Sequence, residues 1–283
     1  MKNLKVDFHI IKDDTDLKQA IKRCWDLGSE QARNYSFSDG MVRLRAHSIE
    51  NGLVCGDMMR IRLDEPAMVA KVGGGERSIA RDDDEGLGET NAFLYCPEKK
   101  CLAYQRNRGG VSVDRFFYYL QQKINRQNAI DYEPVLKPTT VNDLVNASRT
   151  RKLVLAVRPA SITPSAQEDP LSDVVRAANL IECQQFEIAF KMQRGTQGGL
   201  NKSAVVQVIK KLLSLRRDGH DIGKLEAVCQ DGNGKSEILD FVDALLYSVQ
   251  KIEPSKLHNE FYDRRKACVH NAWDECSGQI VIP

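Results

Sequence analysis

The sequence lacks the short motifs that would identify a reaction or a cofactor. Its eight cysteines and five histidines are scattered. No two cysteines have the Cys-x-x-Cys spacing of zinc and redox sites, and no two histidines form an HxxxH or HExxH pair. A nucleophile elbow, a dinucleotide-binding glycine fingerprint and a kinase signature are also missing. We therefore predict no metal ligands, no cofactor and no catalytic residues from spacing.

Long apolar runs are missing as well. No run has the length needed to cross a bilayer, and residues 1–7 contain no apolar stretch of the kind found in signal peptides. Most cysteines lie within apolar patterns, as reduced core cysteines do. Cys96 and Cys101 are the two that could face each other across a hairpin. We expect a cytoplasmic protein without disulfides.

One segment resembles part of a phosphate-binding loop. Residues 232–236 read Gly-Asn-Gly-Lys-Ser, but the fingerprint needs another glycine five residues before Gly234. That position is Cys229, inside a predicted strand. The pattern favours a turn followed by a helix capped by Ser236, and it argues against an NTPase.

The apolar pattern of the first half predicts a mainly antiparallel sheet with packed helices. The chain has 283 residues, of which 42% are hydrophobic, so one large or two ordinary domains can form. Asn51-Gly52 between two strand-like runs is a strong hairpin signal. Thr15 or Asp16 caps a first predicted helix, and Ser112 caps another.

After Pro134 and Pro138 the pattern changes to alternating strands and helices. We predict an α+β fold with two domains. Residues 1–147 and a C-terminal helix in 254–283 form the first, and residues 148–253 form a second, smaller α/β domain.

The formal net charge of +2 hides strong local asymmetry. An acidic run at 82–85 precedes a predicted hairpin that ends in Arg106 and Arg108, beside the paired glycines 109 and 110. Cations at a loop next to flexible backbone are typical of a binding site for an anionic partner.

Two further basic segments lie in the second half. Arg149, Arg151 and Lys152 fall in a stretch without acids. In a predicted helix over residues 203–217, cations occupy the side opposite Val205 and Leu212. These cations are Lys210, Lys211 and Arg217. Such a row can neutralise successive phosphates, although a solvated helix face has the same pattern.

The acidic loop also allows an enzyme. Carboxylates of a metal-dependent nuclease bind Mg2+ through their oxygens. The candidate residues are Asp82, Asp83, Asp84, Glu85 and Glu89. Because contiguous acids point in different directions, a solvated loop is the simpler interpretation.

Taken in order, several motifs resemble the phage-exclusion protein RexA of temperate phages and its bacterial relatives. The acidic run ends in Gly-Leu, a Phe-Leu strand and a second strand ending in basic residues follow, and a helix opens as Ser112-Val113-Asp114-Arg115. Later come Arg149-Thr150-Arg151-Lys152, a basic helix, and Arg264-Arg265-Lys266 in the last helix. The longer loop at 159–170 and the cysteine content depart from that pattern.

The resemblance implies a homodimer that binds double-stranded DNA with little sequence preference. It also implies a mobile inserted domain and a role in phage defence beside a membrane-protein partner. We therefore predict non-enzymatic DNA binding. The predicted contacts are Arg106, Arg108, Arg149, Arg151, Lys152, Lys210, Lys211 and Arg217. The nuclease and a scaffold subunit that recognises a phage or partner protein are the alternatives.

Overall fold

A computed structural model describes most of the chain. The described residues are 1–63, 68–70, 73–79, 82, 85–157, 174, 176–178, 180–193, 198–214, 222–242, 244–253 and 257–280. The chain divides into two compact units. Unit 1 comprises Met1–Tyr132 and Tyr247–Pro283, and unit 2 comprises Glu133–Leu246. The predicted α+β class, with mainly antiparallel sheets, is confirmed.

The elements are given below in the order in which they occur along the chain. The N-terminal part of unit 1 contains β1 (Lys2–Ile11), α1 (Leu17–Trp25), α2 (Glu30–Arg33), β2 (Tyr35–Phe37), β3 (Gly40–Glu50), β4 (Leu53–Arg62), β5 (Met68–Ala70), β6 (Glu76–Ser78), β7 (Leu87–Cys96), β8 (Cys101–Arg106) and α3 (Val113–Lys123). Strand β9 (Tyr132–Pro134) lies at the boundary. Unit 2 continues with α4 (Pro138–Asn146), β10 (Arg149–Val157), β11 (Phe186–Lys191), α5 (Lys202–Ser214), β12 (Ile222–Gln230) and β13 (Ser236–Asp240). The chain then returns to unit 1 with β14 (Tyr247–Ile252), α6 (His258–Cys276) and a short helical turn, Ser277–Gln279.

Unit 1 contains a large antiparallel sheet with the strand order β14-β1-β8-β7-β4-β3-β2, and β5 pairs with β6 in a separate two-stranded sheet. Helices α1 and α3 cover one face, where Phe93 and Tyr104 pack around Phe116. Helix α6 covers the other face and contacts β14, β7, β8, β1 and β4. Because side chains alternate along each strand, residues next to those of the α1/α3 core point towards α6.

Several local predictions are confirmed in unit 1. The side chains of Asp16 and Ser112 accept hydrogen bonds from the third residue after each and so cap α1 and α3. Asn51 and Gly52 have φ of 50° and 82°, the left-handed values that a tight hairpin turn requires. Cys96 and Cys101 are register partners and are both free thiols.

Unit 2 contains an antiparallel sheet with the strand order β11-β10-β12-β13. Helices α4 and α5 supply Leu144, Val205 and Ile209 to a core that also includes Leu153 and Leu225. All of the loop at 159–170 lies outside the described residues, whereas residues 174, 176–178 and 180 are helical.

The predicted helix after Ser236 is wrong, because the chain forms β13 there and pairs with β12. Asp231 Oδ1 accepts hydrogen bonds from the backbone N–H groups of Asn233 at 2.9 Å and Lys235 at 2.8 Å. The N–H of Gly234 donates to Asp231 O. These donors therefore hold a hairpin turn and are not available to a phosphate.

Unit 2 begins and ends earlier than the predicted insertion, residues 148–253. Helix α4 belongs to unit 2, because Leu144 is fully buried in its core. Strand β14 belongs to unit 1, because it pairs with β1 from Lys2↔Ile252 to Asp7↔Tyr247.

His9 on β1 is buried, and we expect it to make unit 1 sensitive to acid. Its Nδ1 is buried without a hydrogen-bond partner in the described part of the chain. Burial, with a smaller contribution from Arg106, lowers the pKa of His9 to about 4, although Asp114 opposes the shift. The unfolded chain therefore binds a proton near pH 6.5 that the folded chain does not bind until about pH 4.

We expect stability to fall as the pH decreases through this window, and His9→Gln to reduce the fall by on the order of 1–3 kcal/mol. Urea unfolding of both proteins at about pH 7.5, above the window, and at about pH 5.5 and 4.5, within it, measures the difference. If the free energy of unfolding changed equally with pH in the two proteins, His9 would not be the source of the acid sensitivity.

Candidate nucleic-acid interface

The two basic segments predicted in the second half lie on opposite faces of the unit 2 sheet. Helix α5 packs through Ile209 and Leu212 on the face that carries Leu153 and Leu155. The predicted contacts of β10 project from the other face. The structure therefore does not bring the helix and the strand together into one surface.

Helix α5 is described as far as Ser214, and the cations Lys202 and Lys210 on it have partners. Lys210 Nζ lies 2.5 Å from Glu133 Oε1. Lys202 Nζ donates a hydrogen bond to Val145 O at 2.6 Å and another to Ala147 O, beside the end of α4. Lys211 is described only as a backbone position of the helix, and Arg217 lies outside the described residues.

A β-bulge sets the direction of the β10 cations. Thr150 pairs with Cys229 and Lys152 pairs with Val228, so Arg151 is the extra residue between two successive pairs. The bulge keeps Thr150 buried, with Oγ1 3.8 Å from Cys229 Sγ. Arg149 and Lys152 consequently project together, away from α5.

The bulge and the strand register produce a group of cations that we term the β10 basic face. It comprises Arg149, Lys152 and Lys191, with Arg151 at its edge. Lys152 lies directly opposite Lys191 across β10 and β11. Two like charges at opposed positions destabilise a strand pair unless an anion compensates for them. Arg151 donates a hydrogen bond to Gly198 O at 3.2 Å.

The same face also carries acids in the described part of unit 2: Glu187 lies opposite Ala156, and Asp240 lies opposite Glu226. Glu226 lies opposite Val154 on the same face, and Lys224 Nζ is 3.2 Å from its Oε2. Among the described residues no ion pair is formed by Arg149, Lys152 or Lys191. Lys191 is not among the contacts predicted from the sequence, because its position opposite Lys152 depends on strand register.

Arg106 and Arg108 belong to unit 1 and differ in their surroundings. Arg106 Nε lies 2.7 Å from Asp7 Oδ2, so its charge is paired within the sheet. Arg108 is exposed in the loop after β8. Gly109 and Gly110 pack against Glu89 and Asn91, which accounts for the glycines by close packing.

A polar cavity of about 370 Å³ lies beside Arg106 in unit 1. Its lining includes Lys2, Glu89, Asn107 and Arg265. The charges are largely balanced within the fold: Arg106 is paired with Asp7, Arg265 with the buried Asp57, and Glu89 Oε2 accepts a hydrogen bond from Asn107. The described lining therefore offers little unpaired charge to an anionic ligand.

The acidic loop shows local hydrogen bonding where it is described. Glu85 Oε2 accepts from the N–H of Asp82 at 3.0 Å, and the N–H of Glu85 donates to Asp82 O. Asp83 and Asp84 lie outside the described residues. Of the described candidate carboxylates, that of Glu85 accepts a hydrogen bond within its own loop and that of Glu89 accepts one from Asn107.

A family model described as "Family of unknown function (DUF6731)" matches residues 4–277. The chain belongs to this family. The match includes both units and the returning helix α6, so the inserted arrangement lies within the family's matched region. A search of curated proteins finds no match. In the described residues, no helix combines the length and apolar character needed to span a membrane.

Proposed function

We propose that this protein binds the phosphate backbone of double-stranded DNA through the β10 basic face, with little sequence preference and without catalysis. The observation that carries the proposal is the placement of Lys152 opposite Lys191, with Arg149 on the same face. The fold holds these cations close together, and a polyanion relieves their repulsion.

The charges on this face favour contacts with DNA phosphates over contacts with base edges. The β10 basic face is short and carries long flexible side chains from neighbouring strands. Such groups neutralise phosphates, which positions a protein on a duplex but does not specify sequence. Each phosphate neutralised releases a counterion, so the affinity should fall steeply as salt increases.

The test is a pair of matched double variants. Lys152→Gln with Lys191→Gln removes two cations from the face. Lys18→Gln with Arg23→Gln removes two exposed cations from α1. We expect the first pair to weaken binding to a random duplex about tenfold or more and to lower the slope of log affinity against log salt by about 2. The control pair should change neither quantity.

Equal affinities and slopes for the two double variants would contradict the assignment of this face. Lys210→Glu with Lys211→Glu tests α5 in the same titration. Full DNA affinity in that variant would mean that α5 does not contact DNA, whereas a large loss of affinity would mean that α5 contacts DNA as well as the β10 basic face.

Whether the DNA is cut after incubation distinguishes the nuclease from a protein that only binds DNA. We expect the duplex to stay intact with Mg2+ present. Cleavage that Asp84→Ala abolishes would favour the nuclease. An absence of binding even at low salt would favour the scaffold that recognises another protein.

The biological setting is part of the same proposal. The resemblance to phage-exclusion proteins supports a cytoplasmic homodimer that acts in phage defence, with a membrane protein as its partner. Light scattering of the purified chain, with and without duplex DNA, measures the predicted dimer.

A further inference from the structure

Three side chains of unit 1 direct different ligand atoms at one point. Cys55 Sγ lies 3.2 Å from His270 Nε2, and His270 Nε2 lies 3.7 Å from Glu50 Oε2. The three atoms all lie within 4.8 Å of one another. A sulfur, an imidazole nitrogen and a carboxylate oxygen are the ligand types that zinc takes in proteins.

The fold assembles this cluster from segments that are distant in sequence. Glu50 ends β3 and Cys55 lies in β4, on either side of the Asn51-Gly52 turn. The register places Cys55 opposite Ser48. His270 comes from α6, which contacts β4 and is separated from Cys55 by 215 positions. Motif spacing predicted no metal site, because only Glu50 and Cys55 are close in sequence and His270 is far from both.

The carboxylate of Glu50 is oriented by neighbours on its other oxygen. Glu50 Oε1 accepts hydrogen bonds from Ser48 Oγ at 3.1 Å and from Lys266 Nζ. The hydrogen bond from Lys266 holds the pKa of Glu50 below its usual value, with Ser48 acting in the same direction. Oε2 is left facing His270. Hydrogen bonds that orient a ligating carboxylate in this way are a regular feature of metal sites.

The geometry does not suit a proton relay. In a nucleophile–imidazole–carboxylate triad, the nucleophile and the acid contact different nitrogens of the ring. Here Cys55 and Glu50 both approach Nε2. Three ligand atoms that lie this close together are better suited to coordinating one metal ion.

We propose that Glu50, Cys55 and His270 bind one divalent ion of the zinc class, with the fourth position open to solvent. At zinc bond lengths and tetrahedral angles, ligand atoms are separated by about 3.3–3.6 Å. The distances from His270 Nε2, 3.2 Å to Cys55 Sγ and 3.7 Å to Glu50 Oε2, lie on either side of that range. The side chains of His270 and Glu50 are 28% and 43% exposed, so an ion can reach the site.

Metal binding must displace the proton of the Cys55 thiol. Burial, reinforced by the charge of Glu50 and opposed by Lys266, raises the pKa of Cys55 to about 11, so the metal-free thiol is protonated near neutral pH. One Cys55 Sγ–H bond breaks as one sulfur–metal bond forms, and the proton leaves to solvent.

The experiment titrates Co2+ into the metal-free full chain under reducing conditions. We expect a thiolate-to-cobalt charge-transfer band that saturates at one ion per chain and disappears when Zn2+ is added. Cys55→Ser should abolish the band. Cys268→Ser is the matched control. Cys268 is also a buried thiol, but it lies on α6 and its hydrogen bond goes to Lys251 O, outside the cluster.

The unfolding temperature is a second readout, which tests the proposal even if the Cys55→Ser protein fails to fold. At the same Zn2+ concentration, Zn2+ should raise the unfolding temperature of the natural chain and of Cys268→Ser more than it raises that of Glu50→Gln. Glu50→Gln and His270→Asn should each weaken Co2+ binding by at least about tenfold. The absence of the band from the natural chain, its persistence in Cys55→Ser, or its loss in Cys268→Ser would overturn the proposal.

Discussion

Replacing Asp57 with asparagine will reduce the free energy of unfolding by about 3–5 kcal/mol. Asp57 is fully buried in β4 and pairs with two arginines. Arg265 donates to both of its oxygens at 3.1 Å, and Arg45 Nε lies 2.8 Å from Oδ2. An amide of the same shape removes the negative charge but leaves both cations in place.

The two arginines can respond differently to this loss. The Arg45 side chain is 17% exposed and can turn towards water, whereas that of Arg265 is 2% exposed. Arg265 lies beside the rings of Phe261 and Tyr262, and its NH1 is also 3.5 Å from Gln105 Oε1. These contacts cannot replace a full negative charge in a buried site. The unpaired Arg265 is therefore the main source of the cost.

Urea unfolding monitored by circular dichroism measures the change, with Asp26→Asn as the control. Asp26 pairs with Lys22 on the surface of α1, where both side chains are about half exposed, and its loss should cost within about 0.5 kcal/mol. Adding Arg265→Met to Asp57→Asn should recover much of the lost stability, because no buried charge is then left without its partner. A double variant no more stable than Asp57→Asn would show that charge is not the cause.

The parts of the fold that could be predicted depend on signals within a few residues. Asp16 and Ser112 cap helices because a short side chain reaches the N–H three residues later. Asn51-Gly52 predicts its hairpin because these two residues tolerate positive φ. Asp57 and Arg265 meet across 208 positions, and no local pattern indicates that pairing.

The candidate site shows the same division between local and long-range information. The helical period correctly separates Val205 and Ile209 from Lys210. It does not show that α5 covers one face of the sheet while Lys152 projects from the other. That outcome depends on the bulge at Arg151 and on the register with β11, and both are tertiary properties.

Gly110→Ala is expected to cost about 2–4 kcal/mol, the second large stability effect. A methyl group at Gly110 would lie 1.9 Å from Asn91 Oδ1 and 2.9 Å from Asn91 Cγ. Asn91 cannot easily move, because its Oδ1 accepts from the N–H of Val111 at 2.6 Å and its Nδ2 donates to Gln105 O at 2.9 Å. Relieving the clash therefore breaks hydrogen bonds between buried groups.

Gly232→Ala provides the control, because nothing lies within 4 Å of a methyl group there. Its effect on urea unfolding should stay within about 0.5 kcal/mol. A double-mutant cycle with Asn91→Ala isolates the cause: with the amide absent, Gly110→Ala should cost much less than it does in the natural chain.

This cycle also decides what the paired glycines beside Arg106 and Arg108 are for. A large coupling between positions 91 and 110 means that the glycine is required for close packing, and the loop is then a rigid support for Arg108. A small effect of Gly110→Ala in the natural chain means that the backbone has room to move at this position. The glycine pair would then keep the role that the sequence suggested, as flexible backbone beside cations that bind an anionic partner.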